Sequence, residues 1–236
     1  MPGDILIRFE RVVKDYRGLR PLRIADLTVT AGDRIALGGL DATAAEAFVN
    51  LVTGAAVPDE GTVAVMGTST AAISDADTWL ASLDRFGIVS ERAVMLDAST
   101  FLQNLALPLT LEIDAIPADV RRRVEALADE AGLPVPRLAA RAGEGTPDER
   151  ARAQVARALA LDPAILLLEH PTAALPRDAA PRFARDLAGI VERRRIAAVA
   201  ITEDPDFAAP FATRWLTVRG ATGEVVRARA RWRLFG

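Results

Sequence analysis

The chain has 236 residues, of which 50% are hydrophobic and 26% charged, with a formal net charge of -3 and an isoelectric point near 5.4. That is ordinary globular composition, and a mildly acidic chain lacks the clustered positive surface that nucleic acid requires, so no nucleic-acid partner is expected. The absence of cysteine excludes disulfides, thiolate nucleophiles and iron–sulfur clusters, and a single histidine, His170, cannot form a histidine metal cluster.

In chain order, residues 5–13 alternate in hydropathy and read as a strand, followed by a second over 22–29. Ala31-Gly32-Asp33 turns the chain into a short apolar strand over 34–37 that ends in Gly38-Gly39. Residues 44–52 read as a helix with Phe48, Leu51 and Val52 on one face and Gly54 at its end. A strand over 61–66, a helix over 75–83 and a short strand over 86–89 follow. From 91 to about 159 the helical period dominates. Residues 117–131 place Val120, Val124 and Leu127 on one face and stop at Gly132, and 149–159 form another helix. Residues 164–168 are a continuous apolar run of the kind buried in a parallel sheet. A helix over 177–193, a buried strand over 196–202 and a hairpin over 215–219 and 224–227 complete the chain. This order predicts an α/β core, about residues 1–89 and 161–236, carrying a helical subdomain over about 90–160. No uncharged stretch reaches the roughly 20 apolar residues of a membrane helix, and the N-terminus carries Asp4 and Arg8 instead of a signal-peptide run. A soluble, cytoplasmic chain is expected.

Several segments carry a resemblance. The stretch "AGDRIALGGLDATAAEAFVNLVTG" resembles the phosphate-loop region of the ATP-binding cassette (ABC) ATPases. "FGIVSERAVMLDASTFLQNLALPL" is similar to their glutamine-loop region, and "QNLALPL" is most like the subunits serving lipoprotein-release and cell-division permeases. "ARAQVARALALDPAILLLEHPTAAL" resembles the signature helix and Walker B strand. "AAVAITEDPDFAAPFATRWLTV" resembles the switch region and last core strand. The resemblance implies a phosphate-loop NTPase-like α/β core with an antiparallel β subdomain and an inserted helical subdomain. It also implies a nucleotide-binding subunit, peripheral on the inner face of a membrane. Such a subunit dimerises around two ATP molecules with Mg²⁺ and drives an integral-membrane permease.

Against that family the chemistry-bearing positions depart. A phosphate loop reads G-x-x-x-x-G-K-[ST], its glycines freeing backbone N–H groups, its lysine neutralising phosphate and its hydroxyl ligating Mg²⁺. Here Gly39 holds the first position, Ala44 the second glycine, Ala45 the lysine, and Glu46 and Ala47 the hydroxyls. The lone lysine, Lys14, lies too early to substitute. Thr43 to Glu46 reads as a capping box that closes the helix start against phosphate. At the signature loop, Thr146-Pro147-Asp148-Glu149 reads as a second capping box with Pro at the first helical position. Glu169 stands at the Mg²⁺-side aspartate, His170 at the general-base glutamate, Glu91 at the glutamine-loop residue, Pro176 at the end of the D-loop and Glu203 at the switch histidine. Glu46, Glu91, Glu169 and Glu203 are expected to converge on one acidic pocket. Such a pocket repels ATP, although Glu169 leaves a divalent cation open. Tyr16 stands where the family stacks an aromatic on adenine, with local packing the equal alternative.

The expectation is a subunit of this fold without catalytic residues, docking on a permease through the 90–103 groove and pairing with itself or with an active ATPase. Phe101, Leu102, Leu105, Leu107 and Leu109 are either docking residues or subdomain core. An active ATPase using Tyr16, Glu169 and His170, and a soluble regulatory scaffold, are the alternatives. The alternating basic tail over 227–233 reads as a charged edge strand.

Overall fold

The computed structural model describes residues 4–228. Alternation builds the first sheet. β1 (Ile5–Lys14) turns Ile7 and Phe9 inward, and a bulge at Glu10 to Val13 against a neighbouring strand coincides with the left-handed backbone of Arg11. Beside it run β2 (Leu22–Thr30), β4 (Glu60–Val65) and β5 (Thr68–Ser69), giving the antiparallel order β2-β1-β4-β5.

The second sheet comprises β3 (Arg34–Gly38), β6 (Phe86–Val89), β7 (Ile165–Glu169), β8 (Ala197–Ile201), β9 (Arg214–Val218) and β10 (Val225–Arg227), in the order β10-β9-β3-β8-β7-β6. All neighbours are parallel except the terminal β9–β10 hairpin. Every residue of β7 and β8 is buried, as expected of parallel strands covered on both faces. Period-2 geometry divides β7 between two cores. Ile165 and Leu167 join the core shared with β1 and β2, and Leu166 and Leu168 join the core on the opposite face.

The first core is filled by α1 (Ala42–Val52), whose Phe48 stacks on Phe9 with ring centroids 5.0 Å apart. The second is filled by α3 (Phe101–Ala106), α4 (Ala118–Ala131), α5 (Pro147–Ala158), α6 (Ala180–Arg194) and α7 (Pro205–Phe211). A short α2 (Ala76–Leu83) lies before β6. The architecture is the α/β core with an antiparallel sheet that the resemblance implies.

The expected helical stretch from residue 91 is broken. Residues 91–99 are irregular, α3 is 6 residues long, and two 3₁₀ turns, Val135–Ala139 and Ala142–Glu144, separate α4 from α5. α4 ends as expected at Gly132, which takes the left-handed conformation. α6 begins at Ala180, three residues later than the periodicity suggests, because residues 176–179 form turns. The strand pair β9–β10 is the expected hairpin, but positions 229–233 of the alternating tail lie outside the described residues.

One buried charge ties α4, α5 and α6 together. The Arg152 side chain is 4% exposed and donates to Asp148 on its own helix (2.8 Å), to the Ala131 carbonyl (3.0 Å) and to Asp186 on α6 (2.9 Å). Replacing it by Ala removes packing and strands a buried carbonyl, so Arg152→Ala is expected to lower unfolding free energy by about 2–3 kcal/mol. Urea denaturation with an unchanged m-value checks this.

Candidate functional site

The loop between β3 and α1 is built around a close approach. Gly39 has φ +85°, and a Cβ there would meet the Val218 carbonyl oxygen at 2.1 Å, so only glycine fits. The Gly39 N–H donates to the Glu203 carboxylate, which comes from the segment after β8. Asp41 then caps α1, accepting from the Ala44 N–H at 2.8 Å, and its carbonyl accepts the Ala45 N–H at 2.8 Å. This corrects the expected Thr43–Glu46 capping box. Asp41 is one of the preferred cap residues and precedes Thr43, so the helix starts at Ala42 and Thr43 falls inside the first turn. Ala44, Ala45 and Ala47 are buried in the core, so their methyls pack inward.

Glu46 turns instead to an arginine that sequence reasoning passed over. Arg92 bridges it at 3.0 Å and reaches Glu169 with a second nitrogen at 2.5 Å. Its Nε also donates to Glu169 at 3.3 Å, and the Ser90 hydroxyl donates to the same carboxylate at 3.1 Å. Glu169 is only 8% exposed. Its hydrogen bond to Arg92 holds that guanidinium pKa above the ordinary value, with the charges of Glu169 and Glu46 adding to the effect. A cavity of about 240 Å³ opens here, lined by Glu46, Ser90, Glu91, Arg92, Glu169 and His170. A neighbouring cavity of about 340 Å³ shares Glu169 and His170 and reaches Pro147 on α5.

Three of the four expected glutamates therefore meet at one cavity, and Glu203 does not, because it is held by Gly39. The cavity is also not simply acidic, since Arg92 supplies a cation. Among the described residues no cluster of His, Asp and Glu has the arrangement of a metal site. His170 takes a left-handed backbone (φ 45°), and its N–H donates to the Ile201 carbonyl at 2.9 Å. Its Nε2 is buried without a partner.

The capping box expected at Thr146 to Glu149 is present. Thr146 caps α5 with Pro147 in the first turn. The Glu149 N–H donates to the Thr146 hydroxyl (3.3 Å), and the Thr146 N–H donates to the Glu149 carboxylate (2.9 Å). Arg137 adds a two-pronged bridge to Glu149 at 2.6 and 3.1 Å, and Asp148 holds Arg152.

Two further residues are accounted for locally. Lys14 pairs with Asp59 at 2.7 Å, which lowers the Asp59 pKa, so it supplies nothing to the loop. The Tyr16 ring is partly buried against the first core and lies over Gly18, where a Cβ would meet it at 2.4 Å. Partial burial, then the nearby Asp41 charge, raise its pKa.

Comparison with known proteins places this geometry. No protein-family model matches the chain. The lipoprotein-releasing system ATP-binding protein LolD of Alcanivorax borkumensis is 30% identical over 208 residues, covering 86% of this chain and 90% of that protein. The chain belongs to the ABC transporter ATP-binding subunits. Methionine import ATP-binding protein MetN 2 of Burkholderia mallei is 31% identical over 241 residues, covering 100% of this chain and 59% of that protein. Among solved structures, a dimeric bacterial ABC transporter cassette superposes with TM-score 0.77 at 23% identity, over 95% of this chain and 100% of that chain. CbiO1 from Clostridium perfringens gives TM-score 0.79 at 18% identity, over 95% and 88%. At these identities the two structures speak to the fold. The likeness of "QNLALPL" to lipoprotein-release subunits agrees with the LolD relatives.

Two outcomes test the capped start of α5. Thr146→Ala is expected to cost about 1 kcal/mol of stability, the usual worth of an N-cap. The Arg137 guanidinium, ahead of the Thr146 contacts, holds the Glu149 carboxyl below its ordinary value. A lowered folded-state pKa stabilises above the unfolded value, about 4.3, and this is lost as pH falls through the folded value. The stability gap between wild type and Glu149→Gln is therefore expected to be widest above about pH 5 and to narrow below about pH 4. Denaturation curves across that range check both.

Proposed function

We propose that this chain is a non-catalytic ATP-binding-subunit homologue within an ABC-type transport complex. The observation that carries the reading is the Arg92 guanidinium lying between Glu46 and Glu169. By the resemblance, those are the Mg²⁺-hydroxyl and Mg²⁺-side carboxylate positions. An internal cation there stands in the place of a metal and its phosphates. The remaining donor set does not fit Mg²⁺-bound triphosphate either. The Gly39 N–H is taken by Glu203, the Ala44 N–H by Asp41, the lysine position is the buried Ala45, and the α5 start is capped by its own residues. Phosphoryl transfer depends on positioned cations and donors around the transferring group, and here they are paired within the chain. Tyr16, Gly39, Ala44, Ala45, Glu46, Ala47, Glu91 and Glu169 are thus the family's nucleotide positions without its nucleotide chemistry, and Thr146 to Glu149 its signature positions.

In this proposal residues 1–89 and 161–236 form the core and 90–160 the helical subdomain, with the chain peripheral on the inner face of the membrane. No helix among the described residues is long and apolar enough to cross one. The partner is an integral-membrane permease, and the second ATPase position is filled by a copy of this chain or by an active subunit. Of the two alternatives for the apolar residues after β6, burial supports subdomain core over docking. Phe101, Leu102 and Leu105 are buried in the chain's own core, and Leu107 and Leu109 are half-buried. The neighbouring Val94 (71% exposed), Leu96 (48%) and Leu111 (90%) carry exposed apolar surface.

One observation favours an active enzyme instead, the unpartnered Nε2 of His170 beside Glu169. The two readings separate cleanly. Purified protein with Mg²⁺ and saturating ATP is expected to release phosphate at background rate. Turnover abolished by His170→Ala or Glu169→Gln would establish the enzyme. Ala45→Lys alone is expected to stay inactive in a folded variant, since Glu46, Arg92 and the capped α5 persist. Val94→Asp is expected to release the chain from membranes holding its permease while leaving its circular dichroism unchanged, because desolvating a charge in an interface costs several kcal/mol, on the order of 3–5.

A further inference from the structure

A cavity of about 470 Å³ lies apart from the site above and shares no lining residue with the two cavities beside Glu169. That volume falls in the ~300–1,000 Å³ range of small-molecule sites. Its apolar side comes from the rim of the first core, where Val65, Met66 and Phe86 are only partly buried, together with Val52 and Ile73. Its roof is α2, and α2 spans the hollow without filling it. None of the helix's residues is buried. Yet the helix is firmly placed. Asp75 caps it, accepting from the Thr78 N–H at 2.8 Å, and the Trp79 indole N–H donates to the Thr53 carbonyl at 3.0 Å.

The polar side is asymmetric. The hydroxyls of Thr53, Thr78 and Ser82 already donate within their own elements, to Val49 O (2.9 Å), Asp75 Oδ2 (2.8 Å) and Trp79 O (2.7 Å). They are left with acceptor capacity. The strong donor in the wall is Arg85. Its guanidinium meets the thioether of Met66 at 2.9 Å, a weak acceptor that carries no charge, and no carboxylate pairs with it among the described residues. Its backbone is fixed, because its carbonyl accepts from both Ala164 (2.9 Å) and Ile165 (3.1 Å) at the start of β7. A solvent-exposed cation without an anion, carried on an anchored backbone at the edge of an apolar hollow, can supply one half of a charge-assisted contact.

We propose that this hollow binds a small amphipathic anion, with an apolar body under α2 and a carboxylate or phosphate head on Arg85. The site is independent of whether the Glu169 cavity handles nucleotide. It places a ligand at the C-terminal end of α1, the helix whose first turn lines that other cavity.

The test uses the whole chain and four probes of six carbons each: hexanoate, hexyl phosphate, hexanol and hexylammonium. Binding is read from saturable amide shifts at Thr78, Ser82 and Arg85 in nuclear magnetic resonance. Hexanoate or hexyl phosphate is expected to bind at least about tenfold tighter than hexanol, with hexylammonium weakest, and the tighter of the two anions identifies the head group. Arg85→Gln is expected to erase the preference for the anions while the amide spectrum remains that of a folded chain. Ala81→Phe, which fills the hollow from α2, is expected to abolish binding of all four. Equal affinity for hexanol and the anions, unchanged binding in Arg85→Gln, or the absence of saturable shifts in the folded wild type each overturns the proposal.

Discussion

Glu169 ends a strand that is buried along its whole length, and it carries its charge into a place only 8% exposed. A carboxylate so placed must be paired. Arg92 and Ser90 satisfy it from the segment after β6, and Arg92 extends the same guanidinium to Glu46 on α1. The consequence is geometric. Three chain regions, separated by 46 and 77 residues in sequence, are pinned at one point beyond the carboxyl ends of the parallel strands. In open parallel sheets this end is where ligands ordinarily sit. Here that end of the sheet holds the ion pairs of Arg92 with Glu46 and Glu169.

The same economy recurs at the helix starts. An open helix N-terminus has free N–H groups and the positive end of a dipole, which suits an anion. α1 gives one of these donors to Asp41, and α5 gives its own to a reciprocal pair between Thr146 and Glu149, buttressed by Arg137. Both devices are local and stabilise the folded chain without any ligand. The two closures arise from different chemistry, an aspartate cap in one and a capping box in the other. They are thus separate solutions to the same requirement and not one motif repeated.

Most of the architecture was legible because it rests on short-range signals. The apolar runs of β7 and β8, the alternation of β1, the Gly132 stop of α4 and the Thr146 box all reside within a few residues of chain. What escaped depends on contacts made in three dimensions. Arg92 looked like one arginine among many, since its partners lie far away in sequence. The α1 cap was misplaced because both Asp41 and Thr43 can start a helix, and only the backbone turn after Gly39 selects between them. Glu203 was expected at the cavity and instead found a donor at Gly39. The irregular run after β6 carries apolar residues at spacings that mimic a helix. Phe101, Leu102 and Leu105 joined the core because the packing of α3 against α4 and α5 covers them.

Gly39 illustrates how a loop glycine can be demanded by the packing of the sheet itself. The carbonyl of Val218 lies so close that any side chain at Gly39 would collide with a neighbouring strand, and its backbone angle disfavours every other residue as well. The constraint belongs to the seam between β3 and β9, which pair along residues 35–38 and 214–217. The glycine is therefore required for the sheet to close, whatever does or does not bind in front of it. Its presence in this loop testifies to the spacing of strands, and the question of nucleotide must be put to the side chains around it.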